Sequence, residues 1–388
     1  MKLPHTRPAL PAVALGLLLV LVPSACSSGS SSAGSAAEQP SSGEPSPLLG
    51  DGPAAGPGTP AALDEDLFSV ESPWNVAVED APVDPDSAAL LDQSLLRTLE
   101  GPDGVVNERA VANVYLDVRE GGPTVVAGGV PTVLTCRQDR CGDGTGELTV
   151  PVPDDVDPDP LQDGRFTVLD PATRTGYDLW RARREDDGTI SYYFLRRWDL
   201  DGPGFSRPYV EGARGSGLPL FAGLVRPDEL TSCRIDHALA LSVPGPAAGS
   251  FVQPASSTDG DNTGVAVPEG ARLRLRPDFL AEAPVDPVTG STLPFDAAQR
   301  DRADCIVTAL QRYGAFVVGR ADVPTLHVQS AAGDADDEAT GLTGDELLSL
   351  GLDDFEVLDL DGLTRYPYPD PTDPTDPTDP TDPTEDDR

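Results

Sequence analysis

The sequence predicts a mainly β fold: an antiparallel, jelly-roll-like sandwich with two or three peripheral helices. Three observations point there. Short runs alternate apolar and polar residues with the period of two that a strand face requires. Clusters of Gly, Pro and Asp separate these runs, and the runs outnumber the helical patterns. The intervals between them are too short for the crossover helices of a βαβ fold, so antiparallel neighbours are favoured.

Order is expected to begin near Leu63 to Trp74. Asp86 then opens a helix in which Ala88, Leu91, Leu95 and Leu99 share a face, and Gly101 closes it. Val114, Leu116 and Val118 alternate with polar neighbours, and β-rich runs follow at 130–135, 147–152 and 165–169. Two longer strands, 175–184 and 189–198, flank Glu185 to Gly188, which reads as a hairpin turn. From Ile235 a further strand sets Ile235, His237, Leu239, Leu241 and Val243 on one face, with Asp236, Ala238, Ala240 and Ser242 on the other. A late helix starts at Asp296 with Gln299 three residues on, carries Ala303, Ile306, Val307 and Leu310 as its apolar stripe, and ends at Gly314. Strands at 315–319 and 325–328 complete the sheet. Thr343 with Glu346 repeats the capping pattern before Leu347 and Leu348, which predicts a small helix in an acidic appendage over 331–365.

The two ends differ from the body. Lys2, His5 and Arg7 precede an apolar run from Ala12 to Val22 that is too short to span a bilayer, so residues 1–25 read as a secretion signal. Leu21, Val22, Pro23, Ser24, Ala25 and Cys26 resemble the lipobox of bacterial lipoproteins, with Pro23 where an aliphatic residue is usual. The resemblance implies that Cys26 becomes the mature N-terminus and carries diacylglycerol, which anchors the chain to the extracytoplasmic face of a cell membrane. Residues 26–62 are rich in Ser, Gly, Ala and Pro, a flexible tether whose reach is roughly 30 Å. A β-rich domain is expected over 63–330, and residues 366–388 form an Asp-Pro-Thr repeat with no apolar surface to bury.

With Cys26 assigned to lipid, Cys136, Cys141, Cys233 and Cys305 remain, an even number for an exported chain. Of the three possible pairings, the one expected joins Cys136 to Cys141 across a small loop and Cys233 to Cys305 across a long one.

The chain carries 27 Lys plus Arg against 65 Asp plus Glu, a net charge of −38. So acidic a body excludes nucleic acid as a partner and disfavours anionic membrane surfaces. The spacing of His and Cys does not suit a zinc site and no cofactor is expected, although calcium would suit the acidic composition. Asp199-Leu200-Asp201-Gly202 recurs as Asp359-Leu360-Asp361-Gly362, neither with the spacing of an EF-hand loop.

Six of the eleven Trp and Tyr residues fall between Tyr177 and Tyr209, interleaved with arginines. Aromatic faces stack on sugar rings and guanidinium forks grip carboxylates, so this stretch predicts a glycan groove. Trp198 and Arg196, with Trp180 and Arg181, are its candidate contacts, while Ile190, Tyr192 and Phe194 on the same strand read as core. For catalysis the candidates are His237, Asp236 and Asp199, since cleavage of a glycosidic bond asks for positioned acids and bases. No Gly-x-Ser-x-Gly elbow is present. The block from Trp180 to Leu241, with its GSGLP, RPDEL and IDHAL segments, and the later ALQRYGAFVV resemble a group of secreted actinobacterial proteins without established activity, a resemblance that transfers no functional residue. The function expected is therefore a lipid-anchored extracytoplasmic glycan-binding protein. A polysaccharide-active glycosidase or lyase and a structural surface protein are the alternatives.

Overall fold

Eighteen strands and three α-helices form among residues 67–101, 104–118, 122–144, 146–158, 163–329, 341–361 and 363–368, the part of the chain that the computed structural model describes. Helix α1 (Ser87–Ser94) leads into a hairpin of β1 (Leu96–Gly101) and β2 (Gly104–Arg109). Then follow β3 (Tyr115–Asp117), β4 (Thr124–Ala127), β5 (Val130–Cys136), β6 (Leu148–Val152), β7 (Phe166–Asp170) and β8 (Thr175–Trp180). After β9 (Arg183–Arg184), β10 (Ile190–Tyr192) and β11 (Phe194–Asp199) comes the short helix α2 (Pro227–Ser232). Next are β12 (Leu239–Val243), β13 (Ser250–Val252), β14 (Arg272–Leu275), helix α3 (Ala297–Arg312), β15 (Ala315–Arg320) and β16 (Thr325–His327). Strands β17 (Phe355–Val357) and β18 (Arg365–Pro367) come last.

The mainly β class expected from the sequence is what the structure has. A six-stranded main sheet runs in the order β17-β14-β15-β12-β16-β3, a second sheet is β11-β8-β7-β4, and a third is β6-β5-β10-β9. Most pairs are antiparallel, but β12 with β15, β16 with β3, β4 with β7 and β5 with β10 are parallel, so the pairing is mixed rather than that of an all-antiparallel jelly roll.

Alternation along β12 sorts the core. Leu239, Leu241 and Val243 join the stripe of α3 and residues of α1 on one side of the main sheet, whereas Ala238 and Ala240 join Phe316 and Val318 on the other. There they meet Val125, Leu169 and Trp198 of the second sheet. A further apolar cluster lies between the second and third sheets, built by Phe166, Val168 and Leu179 against Leu134, Val150 and Ile190. Helix α3 forms as its sequence requires: the Asp296 carboxylate accepts the Gln299 N–H at 2.8 Å, and the Gln299 side chain returns the bond to the Asp296 N–H at 2.9 Å.

Four expectations are corrected. The helix opened at Asp86 stops at Ser94, because Leu96 onward pairs with β2 and leaves Leu99 partly exposed. The two long strands each break in two: β8 and β11 pair in the second sheet, β9 and β10 in the third, and the chain changes sheets at Arg181, whose φ is +52°. The Glu185 to Gly188 turn nevertheless forms, with the Thr189 carbonyl accepting the Glu185 N–H at 2.8 Å. The 331–365 segment is not an appendage over its described part, because Leu342, Leu347, Leu350 and Leu352 lie in the main core and β17 is an edge strand of the main sheet. Its Thr343–Glu346 cap forms at 2.7 Å, yet turns follow rather than an α-helix. Finally, Tyr366 stacks on Phe251 at 5.4 Å and β18 pairs with β13, so the fold extends to Tyr368. The secretion signal, Cys26, the tether and the Asp-Pro-Thr repeat lie outside the described residues. Among the described residues, no helix is long and apolar enough to cross a membrane.

Candidate functional site: a cleft beside His237

The approach to β12 is shaped by α2. Pro227 starts this helix with its fixed φ, and Glu229 at the third helical position reaches back to accept the Arg226 N–H at 3.0 Å. Cys233 closes the helix in the left-handed region and is disulfide-bonded to Cys305 of α3. The second expected bridge, Cys136 to Cys141, is also formed. Strand β12 therefore begins only at Leu239, and the alternation expected from Ile235 does not extend through Asp236 and His237. Both of these side chains border one cleft of about 310 Å3, together with Phe68, Trp74, Phe221 and the polar residues Arg226, Asp228 and Arg234.

Within the cleft, Glu229 Oε1 lies 2.6 Å from Arg226 Nη2 and 2.8 Å from His237 Nε2. His237 Nδ1 lies 2.9 Å from the Ala238 carbonyl oxygen. Oxygen atoms thus face both ring nitrogens. Burial opposes the charge on Glu229, but His237 and Arg226 outweigh it and hold the carboxyl down at about 2. The arrangement is a buried row in which Arg226 and His237 flank the Glu229 carboxylate. Asp236 is paired with Arg234 and lies 3.7 Å from Arg312.

The other expected site residues fall elsewhere. Asp199 ends β11 and uses its carboxylate to accept the Asp201 N–H at 3.0 Å; Asp359 does the same for Asp361 at 2.9 Å. The Asp-Leu-Asp part of each copy is thus a carboxylate-capped turn. Among the described residues, no three His, Cys, Asp or Glu side chains are grouped to hold a metal ion.

Trp198 is only 5% exposed, and its indole N–H donates to Asp178 Oδ2 at 2.8 Å. Parity explains this: the chain leaves the third sheet at Tyr193, so Ile190 and Tyr192 face the core between the second and third sheets, and Trp198 faces the core between the second and main sheets. Arg196 is held by Asp143 at 3.0 Å and by Ser206 at 2.9 Å. Asp178 is itself fully buried; burial pushes its carboxyl up to about 6 against the opposing hydrogen bonds from Thr167, Leu220 and Trp198. Trp180 and Arg181 do reach the surface, where the guanidinium sits 4.4 Å from the indole ring and Arg137 covers Tyr193 at 4.5 Å.

The structure therefore brings His237 and Asp236 to one cleft, places Trp180 and Arg181 in a separate patch, buries Trp198 and ties the half-buried Arg196 to Asp143. Glu229 and Arg226 are not among the site residues expected from the sequence. Pro at the first helical position with Glu two residues later was the available signal of a helix start. Compared with family models, curated proteins and solved structures, the chain returns no match.

Proposed function

We propose that the chain is a lipid-anchored protein of the extracytoplasmic face and that it binds a glycan in the cleft beside His237. One observation carries this reading: guanidinium and carboxylate groups of Arg226, Arg234, Asp228 and Asp236 converge on a cleft of about 310 Å3, over a floor that the buried Trp74 and Phe221 support. Convergent guanidinium and carboxylate groups suit a sugar, whose hydroxyls meet the carboxylates and whose carboxylate substituents meet the arginines. The leader-like segment ending at Cys26 and the two disulfides support the compartment. Retention of the full chain on arrayed neutral and uronic-acid glycans tests the reading. Binding should weaken about tenfold or more in Arg234→Ala or Asp236→Ala, a loss of ~1.4 kcal/mol or more. No retention on any glycan, or retention indifferent to both changes, removes it.

A polysaccharide-active enzyme is the second reading, favoured by the direct 2.8 Å contact of His237 with a buried carboxylate in an open cleft. It requires newly formed reducing or unsaturated ends from a polysaccharide, lost in His237→Ala while the circular dichroism of the fold persists.

A further inference from the structure

The face of the main sheet opposite α3 carries a second group of polar residues, none of which lines the cleft. Ser242 Oγ lies 2.8 Å from His327 Nε2, and His327 Nδ1 lies 3.2 Å from Asp117 Oδ2. The three come from β12, β16 and β3, which are consecutive neighbours in the sheet. Asp117 pairs with His327 in register, and Thr325 rather than His327 stands opposite Ser242, so the imidazole reaches the serine diagonally. Hydroxyl, imidazole and carboxylate stand in the order that makes a serine nucleophilic, a constellation recognised by geometry rather than by chain order. Burial pulls the His327 pKa below its ordinary value, with Asp117 opposing, so the imidazole is neutral at pH 7 and free to take a proton.

Two further features surround the trio. The register of β12 against β15 shifts between Leu241 and Ser242, so that Gly319, not Val318, stands beside Ser242. A methyl placed on Gly319 would meet only Ser242 Oγ at 3.6 Å and Glu269 Oε1 at 3.9 Å, which marks a small space between serine and glutamate. Fully buried polar atoms without partners stand in the same region. Glu269 is 0% exposed, yet its Oε1 has no hydrogen-bond partner, while Oε2 accepts the Asp259 N–H at 3.1 Å. Arg214 Nη1 and Gln329 Nε2 are likewise buried without partners, and Gln329 follows His327 by two residues on its strand. An orphaned buried polar atom costs ~1–3 kcal/mol, so a group of them points to a ligand that completes it. Burial and the neighbouring Asp259 push the Glu269 carboxyl well above its usual range, which favours its protonated, donating form. Asp259 is exposed and Asp117 half-buried, which sets the outer edge of the group at solvent.

We propose that Ser242, His327 and Asp117 form a hydrolytic centre for small acyl esters. Ser242 Oγ attacks the ester carbonyl carbon, and its proton passes to His327 Nε2. The carbonyl oxygen becomes an oxyanion that Glu269 and the free donors of Arg214 and Gln329 stabilise. Collapse breaks the bond to the alkoxide, which leaves as the alcohol with the proton from His327. Water then attacks the acyl-serine through the same base, releases the carboxylic acid and restores Ser242, so ester and water give acid and alcohol. The narrow space at Gly319 selects an acyl group about the size of acetyl.

The full chain is treated with a fluorophosphonate probe and assayed with p-nitrophenyl acetate and p-nitrophenyl butyrate. The probe is expected on Ser242 by peptide mass spectrometry. Ser242→Ala is expected to lower acetate hydrolysis by ~10³-fold or to the buffer rate. Native turnover is expected to be faster on acetate than on butyrate, and Gly319→Ala, whose methyl enters the acyl space, is expected to lower acetate turnover. Absence of the label from Ser242 of the folded native chain overturns the proposal without relying on any variant. Acetate hydrolysis unchanged in Ser242→Ala overturns it as well, and then the trio serves only as an internal hydrogen-bonded chain.

Discussion

Replacing Glu229 by Gln removes the charge that Arg226 and His237 flank while keeping the side chain's shape. In the fold the carboxyl sits at about 2, against 4.5 for a free glutamate. A gap of about 2.5 at the ~1.4 kcal/mol that one pKa unit represents gives ~3 kcal/mol of stability tied to the charged form. The group's folded pKa is depressed, so the unfolded chain binds more protons between about 2 and 4.5; this stability is complete above 4.5 and is lost as pH falls toward 2. The side chain is only 8% exposed, so solvent screening discounts little of it. Urea unfolding of the two proteins at several pH values between 2.5 and 7 measures the effect. Glu229→Gln should lose ~3 kcal/mol at pH 7, because Arg226 and His237 are left without their shared anion, and its deficit should shrink toward pH 2.5. Equal unfolding free energies at pH 7, or a deficit constant across the range, would refute the reasoning.

Two further outcomes follow from the same geometry. Asp178 titrates at about 6 in the fold against 3.8 free; its folded pKa is raised, so its contribution is complete below 3.8 and lost as pH rises through about 6. The stability of the native chain relative to Asp178→Asn should therefore fall by ~3 kcal/mol between pH 3.8 and pH 7, read by denaturant titration. The bridge from Cys233 to Cys305 spans a separation of 72 residues and that from Cys136 to Cys141 only 5. Replacing the first pair by alanines should cost ~4 kcal/mol and the second ~2 kcal/mol on the chain-entropy account, and a reversed order of denaturation midpoints rejects that account here.

Much of the fold was legible because it is local. The cap from Asp296 to Gln299 and the stripe from Ala303 to Leu310 specify α3 within 16 residues, and that helix forms as read. The turn at Glu185 to Gly188 and most strand positions depend on residues adjacent in sequence, and they form too. The misreadings share one cause. Leu95 and Leu99 continue the helical spacing of α1, but pairing with β2 overrides it. Trp198 continues the face of Tyr192 by counting, but the change of sheet at Tyr193 reverses which core it enters.

By itself the sequence determined the β class, the capped helix, the acidic charge and the cysteines that could pair, because each follows from residue type and short-range spacing. Only the tertiary structure decided which carboxylate meets which imidazole. Glu229 reaches His237 across the end of α2, and Asp117 reaches His327 across a separation of 210 residues through the parallel pairing of β3 with β16. Strand order carries that information, and it is set by which apolar faces bury one another, a property of the whole chain rather than of any segment.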